Sequence, residues 1–306
     1  MAKRIEAEVR GATVSLNHLI KLRGHSRGLQ MGAGRRVATA LAGNYASSFR
    51  GRGMDFDEVR AYQPGDDIRS MDWRVTARTG RAHTKLYREE RERPVFFLVD
   101  HSPEMHFGTR SAFKSVIAAE VAALLAWGAG DNGDRIGGIV FNGDGHVELR
   151  PTGGQRGVLR LLKTVIDAPR ASHAEPASLS HALARLRHVA RPGSQVVILS
   201  DFRHLDADGE RHLSYLSKHN DLLAVFIFDA MERELPPPGR YNVSDGDDIF
   251  AIDTRGAKSR RHYRELFEQR HHAIESLFKK HGVKLFDMAT DADVTYTLRR
   301  MLGVVR

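Results

Sequence analysis

Five short apolar runs, separated by longer segments of helical periodicity, dominate the sequence from residue 94 onward. The runs cover residues 94–99, 135–141, 195–200, 222–228 and 283–286. The helical segments cover residues 111–127, 155–166, 179–189, 206–219, 260–281 and 291–302. Runs that are apolar without alternation are typical of strands covered on both faces, and strands that alternate with helices are typical of parallel sheets. The pattern therefore predicts an α/β fold with a doubly wound, mostly parallel sheet.

A sixth strand is predicted at the edge of this sheet. The run at residues 135–141 is followed by the turn Asn-Gly-Asp-Gly and then by a strand-like segment at residues 146–151. This connection is too short for a parallel crossover, so it indicates a hairpin. We therefore predict six strands, of which one is an antiparallel edge strand.

The first 93 residues lack this rhythm. Two short helical segments, at residues 16–22 and 36–45, precede a stretch at residues 51–93 that is rich in Gly, Asp, Arg and aromatic residues. Such a stretch is typical of turns and short strands. We therefore predict two domains: a small, irregular, basic N-terminal module at residues 1–93 and an α/β domain at residues 94–306.

The net charge of +9 is concentrated near the N-terminus, where residues 1–50 carry nine Lys and Arg against two Asp and Glu. A basic block favours contact with an acidic protein face, a membrane surface or nucleic acid, and it is equally typical of a solvated surface. No RNA-binding aromatic motif, zinc finger or helix-turn-helix pattern accompanies the charge. Specific nucleic-acid recognition is therefore not predicted.

The expected location is the cytoplasm. The sequence contains no Cys, which excludes disulfides and thiolate metal sites. The first 16 residues are charged where a signal peptide needs an apolar segment. The most apolar stretch, at residues 115–130, is interrupted by Glu120 and is shorter than the roughly 20 residues that span a bilayer. We therefore expect a protein without a transmembrane segment.

Acidic and hydroxyl side chains follow the first and fourth predicted strands. Asp100, Ser102 and Glu104 follow the first, and Asp201 follows the fourth. Ligands of open α/β sheets bind outside the carboxyl ends of the strands where the strand order reverses, which would bring these two loops together. Carboxylate and hydroxyl oxygens suit a hard cation such as Mg²⁺ or Mn²⁺. The alternative is that Asp100 and Asp201 only cap the turns that follow them.

This arrangement resembles the metal-ion-dependent adhesion site of von Willebrand factor A domains, where Asp-x-Ser-x-Ser follows the first strand, a Thr precedes a later helix, and an Asp follows the fourth strand. Glu104 replaces the second Ser, and Ala177 stands at the Thr position with Ser178 beside it. The resemblance implies a von Willebrand factor A-like fold and a metal site formed by Asp100, Ser102, Glu104, Ser178 and Asp201. Two outcomes stay open: Glu104 is a stronger ligand than Ser, or its side chain fills the site.

A longer motif precedes the first strand and resembles the hallmark of the domain of unknown function 58 family. The matching residues are Gly51, Gly53, Phe56, Arg60, Tyr62, Pro64, Gly65, Asp66, Arg69, Asp72, Trp73, Ala77, Arg78, Glu90 and Arg91. Asp55 stands where the family has Glu, and the likeness continues at residues 200–202 and 290–291. It implies a von Willebrand factor A-like fold, pairing with MoxR-type AAA+ ATPases, and a role in assembling or activating protein complexes.

Four residues of this motif, Arg69, Asp72, Trp73 and Arg78, are candidate partner-binding residues with two interpretations. Arg and carboxylate side chains can form bidentate pairs that hold irregular backbone in one shape. Alternatively, Trp73 and the nearby Arg side chains are exposed anchors for a partner, because Trp and Arg are enriched at binding hot spots.

Enzyme motifs are missing from the sequence. Position 102 is Ser where a haloacid-dehalogenase-type phosphotransferase needs a second Asp, and neither a phosphate loop nor a nucleophile elbow occurs. We therefore predict a non-enzymatic protein-interaction adaptor that works with a MoxR-type AAA+ ATPase in the assembly or activation of protein complexes. The alternatives are a metal-dependent hydrolase that uses the acidic loops, and a protein that binds polyanions or a membrane surface through its basic N-terminus.

Overall fold

The computed structural model describes residues 11–29, 31, 54–64, 66, 68–89, 93–168, 179–244 and 249–304. The chain divides into two compact units, which we call the large unit (residues 1–35 and 93–306) and the small unit (residues 36–92). Most of the basic segment at residues 1–50, including the predicted helix at 36–45, lies outside the described residues.

The elements up to residue 89 are α1 (Leu16–Lys21) in the large unit and β1 (Met54–Ala61), α2 (Trp73–Thr79) and β2 (His83–Glu89) in the small unit. The later strands are β3 (Pro94–Asp100), β4 (Arg135–Phe141), β5 (His146–Gly153), β6 (Gln195–Ser200), β7 (Asp221–Phe228), β8 (Arg240–Ser244), β9 (Ile249–Asp253) and β10 (Lys284–Ala289). The later helices are α3 (Lys114–Asp131), α4 (Gly154–Asp167), α5 (Leu179–Val189), α6 (Ala207–His219), α7 (Ala230–Arg233), α8 (Ala257–Lys280) and α9 (Val294–Met301).

The large unit is built on a six-stranded sheet with the strand order β10-β7-β6-β3-β4-β5. Every neighbouring pair is parallel except β4 and β5. The β4–β5 turn is tight because the Asn142 side-chain oxygen accepts hydrogen bonds from the backbone N–H groups of Asp144 and Gly145, at 3.0 and 2.9 Å. The predicted α/β fold with one antiparallel edge strand is confirmed. β8 and β9 form a separate antiparallel pair.

Helices cover both faces of the sheet, as the apolar runs predict. In β3, Val95, Phe97 and Val99 belong to one hydrophobic core, and Phe96 and Leu98 belong to the other. Helices α3, α4 and α9 contribute buried side chains to the first core, and α5, α6 and α8 contribute to the second. Alternate side chains of a strand point to opposite faces, so a continuous apolar run is the pattern that two cores require.

The strand order reverses at β3. From β3 the chain continues to β4 and β5 on one side and then returns to β6 on the other side. Because β3 and β6 are parallel neighbours, their carboxyl ends lie together at one edge of the sheet. This reversal brings the loop after Asp100 next to the loop after Ser200.

The described N-terminal residues pack against α3 of the large unit. Leu19 and Leu29 are buried in its first core, and the Trp127 indole N–H donates a hydrogen bond to the Leu19 carbonyl oxygen, at 3.1 Å. Glu120, the acidic residue inside the apolar helix, lies 2.9 Å from the His18 imidazole. A side chain at Gly128 would place its Cβ 2.5 Å from the Leu29 carbonyl oxygen, so the glycine allows this close approach.

The predicted assignment of all residues from 1 to 93 to one module therefore needs a correction. Residues 1–35 group with the large unit, and only residues 36–92 form a separate unit. The physical reason is the burial of Leu19 and Leu29, which attaches the N-terminal segment to α3.

The described part of the small unit combines an antiparallel strand pair with one short α-helix. β1 pairs with β2 with an irregularity between Phe56 and Glu58. The Asp72 carboxylate caps α2 by accepting hydrogen bonds from two backbone N–H groups, and Gly80, with a φ of 70°, ends the helix. Left-handed backbone of this kind favours glycine, which has no Cβ. The irregular stretch predicted here is therefore a compact β-α-β arrangement.

Candidate functional site

Two carboxylates lie at the carboxyl ends of the neighbouring strands: Asp100 is the last residue of β3, and Asp201 directly follows β6. Asp100, Ser102 and Asp201 are all buried, with 5%, 2% and 1% of their surface exposed. Both Asp100 oxygens accept hydrogen bonds: Oδ1 from the Ser102 backbone N–H at 3.0 Å, and Oδ2 from the Ser200 hydroxyl at 2.5 Å. The switch point thus places these side chains at one edge of the sheet.

A buried lysine lies beside Asp201. Lys114, the first residue of α3, has a side chain that is 0% exposed. Its Nζ donates to Asp201 Oδ2 at 2.6 Å and to Glu232 Oε1 at 2.9 Å. Burial and the N-terminus of a helix both disfavour a cation, so the two carboxylates are what stabilise this ammonium group.

Glu232 is held in place by the turn after β7. Asp229 directly follows that strand, and its carboxylate accepts a hydrogen bond from the Met231 backbone N–H at 2.9 Å. In return, Glu232 Oε2 accepts from the Asp229 backbone N–H at 2.9 Å, which completes a capping box. The other oxygen of Glu232, Oε1, contacts both Lys114 and Arg203, each at 2.9 Å. We call Lys114, Asp201, Arg203 and Glu232 the Lys114 network.

The backbone at Phe202 shapes the loop after β6. Its φ of 52° lies in the left-handed region, which is uncommon for a residue with a side chain. The Phe202 backbone N–H donates to the Ser200 hydroxyl at 2.9 Å, and the Arg203 N–H donates to Asp201 Oδ1 at 3.0 Å. The buried Phe202 ring packs edge-on against Phe278, with ring centroids 4.9 Å apart. These contacts fix the direction of the Asp201 carboxylate.

The two strand-end carboxylates differ in acidity. Burial raises the pKa of Asp100 to about 6, and the neighbouring Asp201 carboxylate adds to this rise. Burial also acts to raise the pKa of Asp201, but the charge and hydrogen bond of Lys114 outweigh it and lower that pKa below its ordinary value. Lys114 therefore keeps Asp201 ionised, and Asp100 is the group that a proton would occupy first.

Glu104 pairs with His204 in the described structure, and the charge of the nearby Asp201 acts to raise the Glu104 pKa. Glu104 Oε1 lies 3.0 Å from His204 Nε2, and Glu104 Oε2 has no hydrogen-bond partner among the described residues. Burial acts to raise the pKa of Glu104, but hydrogen bonds from its own backbone and from His204 lower it. Ser178 lies outside the described residues.

The residues at this edge do not fit a divalent cation. The ammonium group of Lys114 already contacts the Asp201 oxygen that a metal would use, and both Asp100 oxygens accept hydrogen bonds. Within the described ranges, no group of three or more His, Asp and Glu side chains could hold a metal ion. Lys114 Nζ lies 2.6 Å from Asp201 Oδ2, whereas the described ion pair of Glu104 is with His204.

Sequence reasoning missed the partners of Asp201. Lys114 stands at the start of the most apolar helix, where one charged residue attracts little notice, although it was the only basic residue between positions 111 and 134. Glu232 follows Asp229 at the spacing of a capping box, which is a recognisable signal for a helix start after a strand. Neither signal alone indicates that the two side chains meet.

A cleft of about 1250 Å³ opens at the same edge of the sheet. Its walls come from the loop after β3, the segment after β7 and the loop after β10. The apolar lining includes Phe107, Phe113, Phe228, Met231, Leu235, Pro236, Pro237 and Tyr241, and the polar lining includes Thr109, Arg110, Arg233, Arg260 and Asp291. A concave surface that combines apolar side chains with a few polar groups is typical of ligand-binding clefts.

In the small unit, the candidate partner-binding residues separate into two kinds. Trp73 is 66% exposed, and Arg69 and Arg78 are also exposed. Asp72 has a structural role, because it caps α2 and lies 3.5 Å from the Lys85 ammonium group. The exposure of Trp73 favours the interpretation of this residue as a partner anchor.

Comparison with known proteins gives the family. The sequence model of the family described as "Protein of unknown function DUF58" matches residues 58–273. The chain belongs to the DUF58 family. A similar relative is the uncharacterized protein Rv1480 of Mycobacterium tuberculosis, which is 30% identical over 237 residues, covering 76% of this chain and 74% of that protein. The uncharacterized protein Mb1516 of Mycobacterium bovis shows the same identity and coverage.

Solved structures also resemble this DUF58 chain. The conserved hypothetical protein BatB from Bacteroides thetaiotaomicron covers 69% of this chain and 98% of its own, with 12% identity and a TM-score of 0.40. An aerotolerance-related membrane protein from Bacteroides fragilis covers 70% and 100%, with 13% identity and a TM-score of 0.44. A von Willebrand factor type A protein from Catenulispora acidiphila covers 48% and 35%, with 14% identity and a TM-score of 0.33. Similarity at this level says nothing about function.

In the described parts of this DUF58 chain, no helix has the length and apolar character needed to cross a membrane.

Proposed function

We propose that this DUF58 protein is a non-enzymatic protein-interaction adaptor whose partner is a MoxR-type AAA+ ATPase. A cytoplasmic location is part of the proposal. The observation that supports it most is the exposure of two large apolar side chains in the small unit, Trp73 at 66% and Ile68 at 63%. Both lie within the motif that resembles the hallmark of the family, and that resemblance implies the ATPase.

The exposed tryptophan is presented by an ordered element. Trp73 is the first residue of α2, directly after the capping residue Asp72. Gly80 ends the same helix. A large side chain on a capped helix loses little conformational freedom when it is buried by a partner, which favours binding. Exposed Arg side chains at positions 69 and 78 add the residue type that accompanies Trp at binding hot spots.

The chemistry of the sheet edge supports an adaptor over a hydrolase. A metal-dependent hydrolase needs a metal ion or an available base at the acidic loops. In the described structure, Asp201 and Glu232 are paired with Lys114, and Asp100 accepts two hydrogen bonds. These groups hold together the segments that follow β3, β6 and β7.

Binding of the purified full-length protein to a purified MoxR-type ATPase from the same genome tests this function. We expect Trp73→Ala to weaken binding by roughly 30-fold, the factor that corresponds to a hot-spot loss of about 2 kcal/mol. Tyr296→Ala is the matched control, because Tyr296 is an aromatic residue of the large unit with 56% exposure. Calorimetric titration gives both dissociation constants. No binding by the wild type, or equal effects of the two substitutions, would contradict the proposal.

A further inference from the structure

We infer that the Lys114 ammonium group fills the cation position of this sheet edge, so that the site works without a divalent metal ion. The inference concerns the large unit and does not depend on the proposed partner or on Trp73. It rests on the position, the burial and the charge balance of the Lys114 network.

The position of Nζ is the first argument. It lies between Asp201, from the loop after β6, and Glu232, from the turn after β7, at 2.6 and 2.9 Å. These are oxygens of the type that Mg²⁺ or Mn²⁺ would take as ligands, and both metals commonly bind through one or two carboxylates with water molecules. Lys114 connects the loop after β6 and the turn after β7 through its two ion pairs, as a metal ion bound to these oxygens would.

Burial makes the arrangement specific. Lysine is almost never fully buried unless it is paired, and the Lys114 side chain is 0% exposed. The side chain of Asp201 is 2% exposed and that of Glu232 is 10% exposed. A group enclosed in this way leaves the site only if the surrounding loops move. A metal ion would therefore have to displace the lysine from two carboxylates in the interior.

Charge balance is the third argument. Lys114 and Arg203 supply two positive charges to the carboxylates of Asp201 and Glu232. A divalent ion placed on the same oxygens would lie within a few ångströms of both cations, and repulsion between like charges is strong where water is excluded. Each oxygen of the nearby Asp100 carboxylate already accepts a hydrogen bond, one from the Ser102 backbone N–H and one from the Ser200 hydroxyl.

This arrangement has a consequence for recognition. In a metal-based adhesion site, a carboxylate of the partner completes the coordination of the ion. Lys114 is enclosed, so it cannot offer a coordination position to a partner. Partners that contact this edge would therefore bind to the surrounding cleft surface, and their binding would not require a metal ion at Asp201.

Calorimetric titration of the full-length protein with Mn²⁺ and with Mg²⁺ tests the inference. We expect no Asp201-dependent binding by the wild type at millimolar metal. Lys114→Ala removes the ammonium group and leaves the carboxylates, so this variant should bind one Mn²⁺ at least about tenfold more tightly than the wild type. Adding Asp201→Asn to Lys114→Ala should abolish that binding, which assigns the metal to this position.

Two results would overturn the inference. One is metal binding by the wild type that Asp201→Asn abolishes, because the site would then hold a metal with the lysine present. The other is a folded Lys114→Ala protein that binds no metal, because the carboxylates would then not form a cation site. If Lys114→Ala is unfolded with and without Mn²⁺, the charge-balanced variant Lys114→Ala/Glu232→Gln takes its place. This variant should bind one Mn²⁺, and adding Asp201→Asn should abolish that binding. A folded form of it that binds no metal would overturn the inference.

Discussion

Replacing Lys114 by methionine should destabilise the large unit strongly. Methionine has a similar length but no charge, so the change leaves Asp201 and Glu232 without the ammonium group that now lies at 2.6 and 2.9 Å. Removing one partner of a buried ion pair costs about 3–5 kcal/mol of unfolding free energy. The upper part of this range applies here, because the lysine side chain is 0% exposed and contacts two carboxylates.

Urea denaturation and thermal melting measure this loss. For a domain of this size, a loss of about 3–5 kcal/mol lowers the melting temperature by roughly 6–20 °C. Lys280→Met is the matched control, because Lys280 Nζ also lies 2.9 Å from a carboxylate, that of Glu210, but its side chain is 69% exposed. An exposed pair of this kind contributes less than about 1 kcal/mol.

The test compares the loss of unfolding free energy in the two lysine variants. We expect a large loss for Lys114→Met and a loss near zero for Lys280→Met. Equal and small losses would refute the reasoning, because they would mean that burial does not make the Lys114 network stabilising.

Two further predictions concern Asp100 and the N-terminal segment. Because the pKa of Asp100 is raised from 3.8 to about 6, the folded protein binds this proton more readily than the unfolded chain. The free energy of unfolding of the wild type should therefore fall by up to about 3 kcal/mol relative to that of Asp100→Asn as the pH rises from about 4 to about 6.5. Urea denaturation of the two proteins at several pH values measures this difference. A difference that does not change with pH would contradict the prediction. Gly128→Ala should displace the segment around Leu29, because the new Cβ would lie 2.5 Å from the Leu29 carbonyl oxygen. Trypsin should then cleave after Arg27 faster in this variant than in the control Gly145→Ala, whose new Cβ has no atom within 4 Å. Equal cleavage rates in these two variants would refute the close approach.

The order of the elements in the six-stranded sheet could be predicted because each of its strands has a recognisable composition or turn, whereas β8 and β9 were not predicted. The continuous apolar run of β3 supplies Val95, Phe97 and Val99 to one core and Phe96 and Leu98 to the other, so it has no other stable place than the middle of a covered sheet. The edge hairpin was equally visible, because its short turn excludes a crossover.

The candidate site could be predicted only in part. The reversal of strand order brings Asp100 and Asp201 together, and a general rule for open sheets predicts that meeting. The cation that contacts Asp201 comes from Lys114, which is 87 residues away in the chain. Its contact depends on how α3 packs against the loops after β6 and β7, and residue type or spacing does not encode that packing.

The N-terminal boundary was missed for a similar reason. Helix α1 is short, and Leu19 is its one buried residue, so the sequence there shows no repeating pattern of apolar residues. Its attachment to the large unit depends on α3, where the Trp127 indole N–H donates to the Leu19 carbonyl oxygen and Gly128 leaves room for the backbone at Leu29. These are tertiary contacts between residues about a hundred positions apart.

Photo-crosslinking from position 73 in living cells tests the proposed adaptor function most directly. p-Benzoylphenylalanine at this position replaces the Trp73 side chain, which is 66% exposed, by another large aromatic group. We predict a crosslink that mass spectrometry identifies as a MoxR-type AAA+ ATPase, and no such product when the same group replaces the exposed Tyr296. Crosslinks from position 73 that contain no ATPase, or the same products from both positions, would contradict the central claim.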